Sequence, residues 1–202
     1  MGSGYLTSPL MLIINTLFDL YVLLVMLRFI FQLLRADFYN PVSQFVVRAT
    51  TPPLKPLRKI IPGMAGQDMA ALVLCLLILL LKYTIIRSMG AGVIDIANVL
   101  APLGSASIGG LIVIALADML ATFINVFLFA IIIQVILSWV NPGAYNPVIG
   151  LVNSISRPAL RPVQRFIPPL GGLDLSPLFA TLGLMVIKML VIPPIIFLAT
   201  QL

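Results

Sequence analysis

The sequence predicts an all-α membrane protein. We expect four transmembrane helices in two parallel two-helix repeats, each with a short amphipathic helix and a proline-rich basic loop on the inner face. Hydrophobic residues make up 61% of the 202-residue chain and charged residues only 9%, against about 45–50% and about 25% in soluble domains. Four apolar segments are long enough to cross a bilayer, and the second half of the chain repeats the first. Lipid is therefore the solvent expected for much of the chain.

The composition argues against several classes of function. The chain has no His and no Glu, and it has a single Cys, so it lacks the usual ligands of zinc, haem and di-iron sites and the commonest general base. The sequence contains no G-x-x-x-x-G-K-[ST], G-x-S-x-G or C-x-x-C motif. We therefore expect no enzyme, no cofactor and no bound metal. A nucleic acid is not an expected partner either, since no compact domain is available to read bases.

The four predicted spans are residues 9–34, 69–87, 111–140 and 177–198, because a bilayer core of about 30 Å needs about 20 helical residues. Ser-Pro pairs at residues 8–9 and 176–177 are typical of a helix N-cap followed by proline. Pro193 and Pro194 lack backbone donors, so we expect them to kink or end the fourth helix. The first span is expected to be retained, since nothing basic precedes Arg28 as a secretory signal would require.

The basic residues predict the orientation of the spans. Eight of the twelve lie in the loops after the first and third spans, which the positive-inside rule places in the cytoplasm. Both termini are then expected on the outer, periplasmic side. The eight residues are Arg35, Arg48, Lys55, Arg58, Lys59, Arg157, Arg161 and Arg165.

An internal repeat appears when the sequence is shifted by 106 residues. Between residues 39–82 and residues 145–188, 15 of 44 positions are identical, and they include a series of Pro, Gly and Asp residues. Each unit holds two spans, so both units point the same way. We predict a first repeat at residues 1–92, an outer linker at residues 93–110 and a second repeat at residues 111–202.

Each inner loop is predicted to hold two short helical pieces. Asn40 and Asn146, each followed by proline, are candidate N-caps of the first piece. Apolar residues then recur at helical spacing, at positions 42, 45, 46 and 49 and at 148, 151, 152 and 155, with Ser43 and Ser156 among the polar residues opposite. A second, proline-rich piece begins at Pro52 and again at residue 158. Such helices are expected to lie flat in the inner interface.

The basic side chains of these loops are the candidate binding residues for anionic lipid headgroups or partner proteins, each contributing about 1 kcal/mol near a membrane surface. The alternative is that these charges serve only to set topology, and the two interpretations are compatible. The candidates are Arg48, Lys55, Arg58, Lys59, Arg157, Arg161 and Arg165.

Charged residues inside the spans form the second candidate site, because ionisable groups in a membrane are costly. By helical rise, Asp19 and Lys82 lie at similar depths and are predicted to pair. The repeat equivalent of Lys82 is Lys188, which we expect to meet Asn125, Asp118 or Asp19. Such a cluster either satisfies itself and fixes helix register, or it lines a polar path for a cation or proton at the repeat interface.

Three further polar residues lie near the inner ends of the spans. Asp68 and Asp174 precede the second and fourth spans and are predicted as helix N-caps, where a negative charge meets the positive end of the helix. Arg28 lies near the same face, within expected reach of either aspartate. Mid-span Cys75 is expected to be a small apolar filler.

Residues 154–177 follow the pattern S-x-x-R-P-A-L-R-P-V-x-x-F-I-P-P-x-G-G-L-D-L-S-P, and residues 48–71 form a more divergent copy in which Thr51 and Gly63 depart from it. This motif resembles that of the YggT family of membrane proteins. The resemblance covers essentially the whole chain and implies a bacterial inner-membrane protein with relatives in chloroplasts. It brings no catalytic residues. It also implies links to osmotic or potassium stress, to cell division and nucleoid organisation, and to assembly of a membrane cytochrome complex.

The sequence and the resemblance together predict a non-enzymatic membrane scaffold or assembly factor. Its binding surface would be the duplicated basic inner loops, with membrane-protein partners or self-association. The alternative is a component of ion (potassium) or osmolyte transport with a polar path at the repeat interface.

Overall fold

A computed structural model describes residues 3–64, 66–140, 146–167 and 174–202. Within these residues the chain forms six α-helices and a β-hairpin, and four of the helices are long and apolar enough to cross a membrane. In chain order the elements are α1 (Ser3–Leu33), α2 (Pro41–Ile60), α3 (Met69–Ser88), β1 (Val93–Ile96), β2 (Val99–Pro102), α4 (Ile108–Val140), α5 (Pro147–Phe166) and α6 (Ser176–Gln201).

The spans are α1, α3, α4 and α6, which confirms the predicted all-α membrane fold. Helices α3 and α4 pack together at the centre, α1 packs mainly on α3, and α6 packs on α4. In an apolar 18-residue stretch of each span, 44% of the residues of α3 and 39% of those of α4 are buried, against 17% in α1 and in α6. The apolar core therefore surrounds α3 and α4, with Tyr83 and Ile114 fully buried in it. Helices α1 and α6 present most of their surface outward.

Helices α2 and α5 lie at the same end of the spans. The side-chain amide of Asn40, just before α2, donates a hydrogen bond of 2.5 Å to the backbone oxygen of Pro147, the first residue of α5. This contact links the two halves of the chain directly. We call this end the basic side and the opposite end, where β1 and β2 lie, the hairpin side.

Each loop on the basic side holds one continuous helix, so the prediction of two short pieces was wrong. Helix α2 runs through Pro52, Pro53 and Pro56, and α5 runs through two prolines of its own. A proline leaves the carbonyl four residues earlier without its helical partner. For Pro53 that carbonyl belongs to Ala49, and the Tyr21 hydroxyl of α1 donates to it at 3.2 Å. Contact with a span therefore stabilises the helix where its own ladder is interrupted.

The buried face of α2 also differs from the predicted one. Ser43 and Thr50 are buried, although Ser43 was expected to face away, and Phe45 is 61% exposed. On α5, Ser156 is fully buried, again contrary to the prediction. The physical reason is visible at Thr50 and Ser156, whose hydroxyls bond to polar side chains of α1 and α4. Polar pairing with the spans therefore sets the buried face, in addition to the apolar pattern.

Two predicted helix ends differ from the structure. Helix α1 begins at Ser3, upstream of the expected Ser8–Pro9 start. Helix α6 continues through Pro193 and Pro194 to Gln201, so these prolines do not end it, and the kink expected there stays a prediction. Prolines are tolerated in membrane helices when the freed carbonyls find other partners or small local adjustments.

The predicted linker at residues 93–110 contains an antiparallel hairpin, with Ile96 paired to Val99 across a two-residue turn. The turn residues Ala97 and Asn98 both have positive φ, 57° and 67°, as a type I′ turn requires. The guanidinium of Arg87 donates to the backbone oxygen of Ala106 at 2.8 Å. This bond ties the segment after the hairpin to the end of α3.

Close packing of α4 on α6 at the hairpin side depends on Gly110. A Cβ at this position would lie 2.8 Å from the backbone oxygen of Ala199. We expect Gly110→Ala to push the helices apart and to lower the free energy of unfolding by about 1–3 kcal/mol. Thermal unfolding in detergent measures the change.

Gly183→Ala is the matched control, since Gly183 lies within α6 and a Cβ there meets nothing within 4 Å. Helix propensity predicts a neutral or stabilising effect of about 1 kcal/mol at most. Equal destabilisation by both variants would contradict the packing role of Gly110.

Candidate functional site

The spans enclose a cluster of polar side chains around Lys82. The ammonium group of this residue, whose side chain is 3% exposed, lies 2.5 Å from Asp19 Oδ1 on α1 and 3.7 Å from Asp118 Oδ2 on α4. The Tyr83 hydroxyl donates to Asp118 at 2.7 Å. One cation thus meets two carboxylates from two other helices, so the cluster joins α1, α3 and α4 across the repeat boundary.

The structure brings together the predicted Asp19–Lys82 pair and also places Lys188 beside Asn125, with 2.8 Å between Nζ and Oδ1. Of the three partners expected for Lys188, the structure shows Asn125. Asp118 instead faces α3, where its carboxylate lies near the Lys82 ammonium and accepts a hydrogen bond from the Tyr83 hydroxyl. Cys75 is fully buried within the core, as a small filler would be.

A second polar cluster connects α1, α2 and the start of α3 on the basic side of the first repeat. The Arg28 guanidinium donates to Val47 O at 3.0 Å and to Thr50 Oγ1 at 2.9 Å, both on α2, and it lies 3.7 Å from Asp68 Oδ2. Asp68 also forms an ion pair with Arg58 at the end of α2. Because the Asp68 side chain is only 6% exposed, it acts as a shared counter-ion between α1, α2 and the start of α3.

Two of the four predicted helix caps are formed as expected. The Asn40 and Asn146 side chains each accept from the backbone N–H two residues later, at 2.9 Å. Asp68 occupies the N-cap position of α3, but its side chain makes no capping bond, because Arg28 and Arg58 occupy the carboxylate.

Asp174 is close to the predicted cap but one residue early, since Leu175 is the N-cap of α6. Its carboxylate accepts from the Ser176 N–H at 2.8 Å and from the Gln164 amide at 3.2 Å. Burial by itself would raise the pKa of Asp174, but the hydrogen bonds from Ser176 and Gln164 outweigh it and lower that pKa below its ordinary value. The carboxylate thus stays ionised to lower pH than usual, and its bonds weaken only as pH falls through this lowered pKa.

The polar contacts of the two repeats are equivalent, but those of the second repeat are less charged. Three contacts of the first repeat, shifted by 106 residues, give contacts that are present in the second, and in each of the three one ionised residue is replaced by an amide. Two of the three are ion pairs in the first repeat, and all three are hydrogen bonds with an amide in the second. The equivalent contacts are Asp19–Lys82 with Asn125–Lys188, Arg28–Thr50 with Gln134–Ser156, and Arg58–Asp68 with Gln164–Asp174.

The predicted basic binding residues divide into two groups. Arg58 is held by Asp68 and is not freely available to a ligand. The other six side chains are exposed on the basic side, and within the described residues none of them forms a salt bridge. These six are Arg48, Lys55, Lys59, Arg157, Arg161 and Arg165.

Two clefts flank the second repeat on the basic side. A polar cleft of about 420 Å³ is lined by Asn153, Arg157 and Gln164 of α5 together with Gln134 of α4. A largely apolar cleft of about 670 Å³ lies between α4 and the start of α6, with Trp139 in its wall. No three His, Cys, Asp or Glu side chains of the described residues lie together as a metal site requires.

Sequence reasoning missed Thr50, Tyr83 and Ser156 as members of the polar clusters. Tyr83 has no polar repeat equivalent, because residue 189 is a methionine, so no internal comparison could identify it. Thr50 and Ser156 did carry a signal. Thr50 and Ser156 occupy the same position of the two repeats, and both carry a hydroxyl group. Their partners Arg28 and Gln134 also occupy the same position, and both are polar.

The fold and these clusters define a multi-pass α-helical membrane protein built from a tandem repeat. The family model described as CCB3/YggT matches the chain twice, over residues 7–89 and 113–195. The chain belongs to the CCB3/YggT family.

Relatives match over most of the chain. A protein of Pseudomonas aeruginosa is 52% identical over 188 residues, which cover 93% of this chain and 90% of that protein. The protein named YggT of Escherichia coli K12 is 33% identical over 182 residues, 90% of this chain and 88% of its own length. YlmG homolog protein 2 of Arabidopsis thaliana, named as chloroplastic, is 37% identical over 78 residues, 39% of this chain and 30% of its own. No solved structure matches the chain.

The cluster around Lys82 predicts strong coupling between its two carboxylates. Asp19→Asn or Asp118→Asn alone leaves Lys82 with one counter-ion, whereas the double variant leaves a buried cation with none. We expect the double variant to lose about 0.5–3 kcal/mol more than the sum of the single losses. Unfolding of the four proteins in detergent measures the coupling, and additive losses would contradict it.

The basic-side clusters predict unequal effects of two equivalent substitutions. Asp68→Asn removes the shared counter-ion of Arg28 and Arg58, so we expect it to destabilise the fold by about 1–3 kcal/mol. Asp174→Asn is the matched control, because its side-chain partner Gln164 is neutral and the smaller loss is expected there. Equal shifts of the unfolding temperature would refute the unequal roles of the two aspartates.

Proposed function

We propose that this protein is a non-enzymatic scaffold or assembly factor of the bacterial inner membrane. Its binding surface is formed by the basic faces of α2 and α5. The observation that carries the proposal is the group of six exposed basic side chains, which lie on two neighbouring helices and form no salt bridge within the described residues. Anionic lipid headgroups and acidic segments of membrane-protein partners are the ligands that such a surface attracts.

The orientation follows from the same residues. With the basic side in the cytoplasm, as the positive-inside rule requires, both termini lie on the periplasmic side. In this orientation α2 and α5 lie at the inner interface, and their exposed arginines and lysines reach the headgroups. The roles in osmotic stress and in organisation of cell division or of membrane complexes belong to this proposal, since a duplicated lipid-binding surface suits the recruitment of other proteins.

The packing at the repeat interface supports the scaffold over the transport alternative. Around the Lys82 cluster, Tyr83, Ala117 and Ala121 are buried, at most 2% exposed, so the interface is tightly packed. A cation path also favours acidic or carbonyl-lined constrictions, whereas a lysine occupies the centre of this cluster.

Replacing Lys55, Lys59, Arg161 and Arg165 by Gln tests the proposal. We expect this variant to insert and fold normally, because these side chains are exposed and lie outside the polar clusters. It should lose its preference for phosphatidylglycerol over phosphatidylcholine, since each basic residue contributes about 1 kcal/mol to attraction by an anionic surface. Native mass spectrometry of protein released from mixed nanodiscs counts the lipids retained.

The matched control exchanges Lys for Arg and Arg for Lys at the same four positions, which keeps the charge and should keep the preference. The same variants, crosslinked in native membranes, report on protein partners and on cellular localisation. A glutamine variant that retains phosphatidylglycerol, localisation and partners would refute the proposal. Ion flux in proteoliposomes that disappears in Asp19→Asn or Lys82→Gln would favour transport instead.

A further inference from the structure

The first repeat contains a cleft of about 340 Å³ on the basic side, between the end of α1 and the start of α2. Two of its described lining residues are basic and none is acidic, and apolar residues form the rest of the wall beside one amide and one hydroxyl. The polar lining residues are Arg28, Gln32, Arg35 and Ser43. The cleft therefore offers an anion both positive charge and hydrogen-bond donors.

The positive charge around this cleft exceeds the negative charge. Arg28 and Arg58 share the single carboxylate of Asp68, so these three groups carry one positive charge in excess. Arg35 adds a second, since it forms no salt bridge within the described residues. The Arg28 side chain is only 9% exposed, and an unbalanced charge buried to this degree is costly unless another counter-ion joins it.

Two donors at the cleft have no acceptor among the described residues. Ser43 is only 2% exposed, and its Oγ makes no hydrogen bond. Arg28 donates its hydrogen bonds from Nη1, which leaves Nη2 without a described acceptor. Buried polar groups are ordinarily paired with the protein or with another bound group, so these donors indicate a ligand that accepts hydrogen bonds.

The start of α2 adds to the attraction for an anion. Ser43 is the third residue of α2, where a backbone N–H has no acceptor within the helix and the helix dipole is positive. The Asn40 side chain and carbonyl accept from the N–H groups of Val42 and Gln44 on either side. Phosphates and other anions bind at helix ends of this kind.

Arg35 lies at a backbone position that ordinarily favours glycine. Its φ is 51°, and the N–H of Ala36 donates to the oxygen of Phe31 at 2.8 Å, as in a Schellman helix ending. Glycine is usual at this point because a Cβ is unfavourable at positive φ. The arginine found here instead contributes a guanidinium group to the lining of the cleft.

We propose that this cleft binds one phosphate group, either free phosphate or the headgroup phosphate of a membrane lipid. Arg28 and Arg35 supply positive charge and donors that suit phosphate oxygens, and the Ser43 hydroxyl donates a further hydrogen bond. Gln, Asn and Ile stand at the equivalent positions of the second repeat, so we expect one site per chain. The site is separate from the six exposed basic residues and does not depend on lipid binding by them.

Thermal unfolding of the purified, delipidated protein in a neutral detergent tests the proposal, because a ligand that binds the folded state raises the unfolding temperature. The probes are inorganic phosphate and phosphatidylglycerol, and diacylglycerol with the same acyl chains is the control that lacks phosphate. Stabilisation by inorganic phosphate identifies free phosphate as a ligand, and stabilisation by phosphatidylglycerol alone identifies a lipid headgroup. Stabilisation by neither probe, or equal stabilisation by diacylglycerol, would overturn the proposal.

Arg35→Gly and Ser43→Ala separate binding from folding. Without ligand, both variants should unfold at the wild-type temperature or above it, since glycine accommodates a positive φ and the Ser43 Oγ has no hydrogen bond to lose. Affinity for the probe that stabilises the wild-type protein should fall about tenfold in Arg35→Gly and about fivefold in Ser43→Ala, as loss of a charged and of a neutral donor predicts. Wild-type affinity in both folded variants would overturn the proposal.

Arg35→Lys is the matched control, because it keeps the charge and the Cβ at the same φ. It should retain more of the affinity than Arg35→Gly, and an equal loss in these two variants would contradict the role of the charge.

The glutamine variant at Lys55, Lys59, Arg161 and Arg165 distinguishes this site from the exposed basic surface. Its cleft residues are unchanged, so it should retain the stabilisation that Arg35→Gly lowers. Loss of that stabilisation in the glutamine variant would overturn the cleft as the binding site, because the exposed charges alone would then account for binding.

Discussion

The arrangement of the spans depends on one buried cation, the ammonium group of Lys82, which needs counter-ions because the membrane interior offers it no water. The Lys82 side chain is only 3% exposed, and its two carboxylate partners come from α1 and α4. An ammonium group in such surroundings is stable only when counter-ions reach it with good geometry. The position of three of the four spans is thereby fixed at one point, where the two repeats meet. The ion pairs of this cluster require one register of the three helices, in addition to the register that their apolar packing favours.

On the basic side, buried charged groups likewise need partners from other helices. Arg28 reaches from α1 into α2, and Asp68 at the start of α3 carries two guanidinium groups. These contacts attach a helix that contains three prolines to the spans, and Tyr21 donates to one of the carbonyls that those prolines leave free. They also distinguish Arg28 and Arg58, which connect helices, from the exposed basic residues of α2 and α5.

The polar clusters of the two repeats differ in charge. Where the first repeat has Asp19, Arg28 and Arg58, the second has Asn, Gln and Gln at the equivalent positions. Amides preserve the hydrogen bonds with little desolvation cost, whereas ionised groups bind more strongly and require counter-ions. The duplication therefore presents the same architecture twice with different electrostatics.

The sequence by itself determined the four spans, the 106-residue repeat, the pairing of Asp19 with Lys82, and the caps Asn40 and Asn146. Hydropathy, internal identity and helical rise report directly on these features. Only the tertiary structure decided that Asp118 serves Lys82, that Asp68 is a counter-ion, and that α2 buries Ser43 and Thr50 but exposes Phe45. The reason is physical. Periodicity records which residues are apolar, but a polar residue is buried or exposed according to the partner that another helix brings to it.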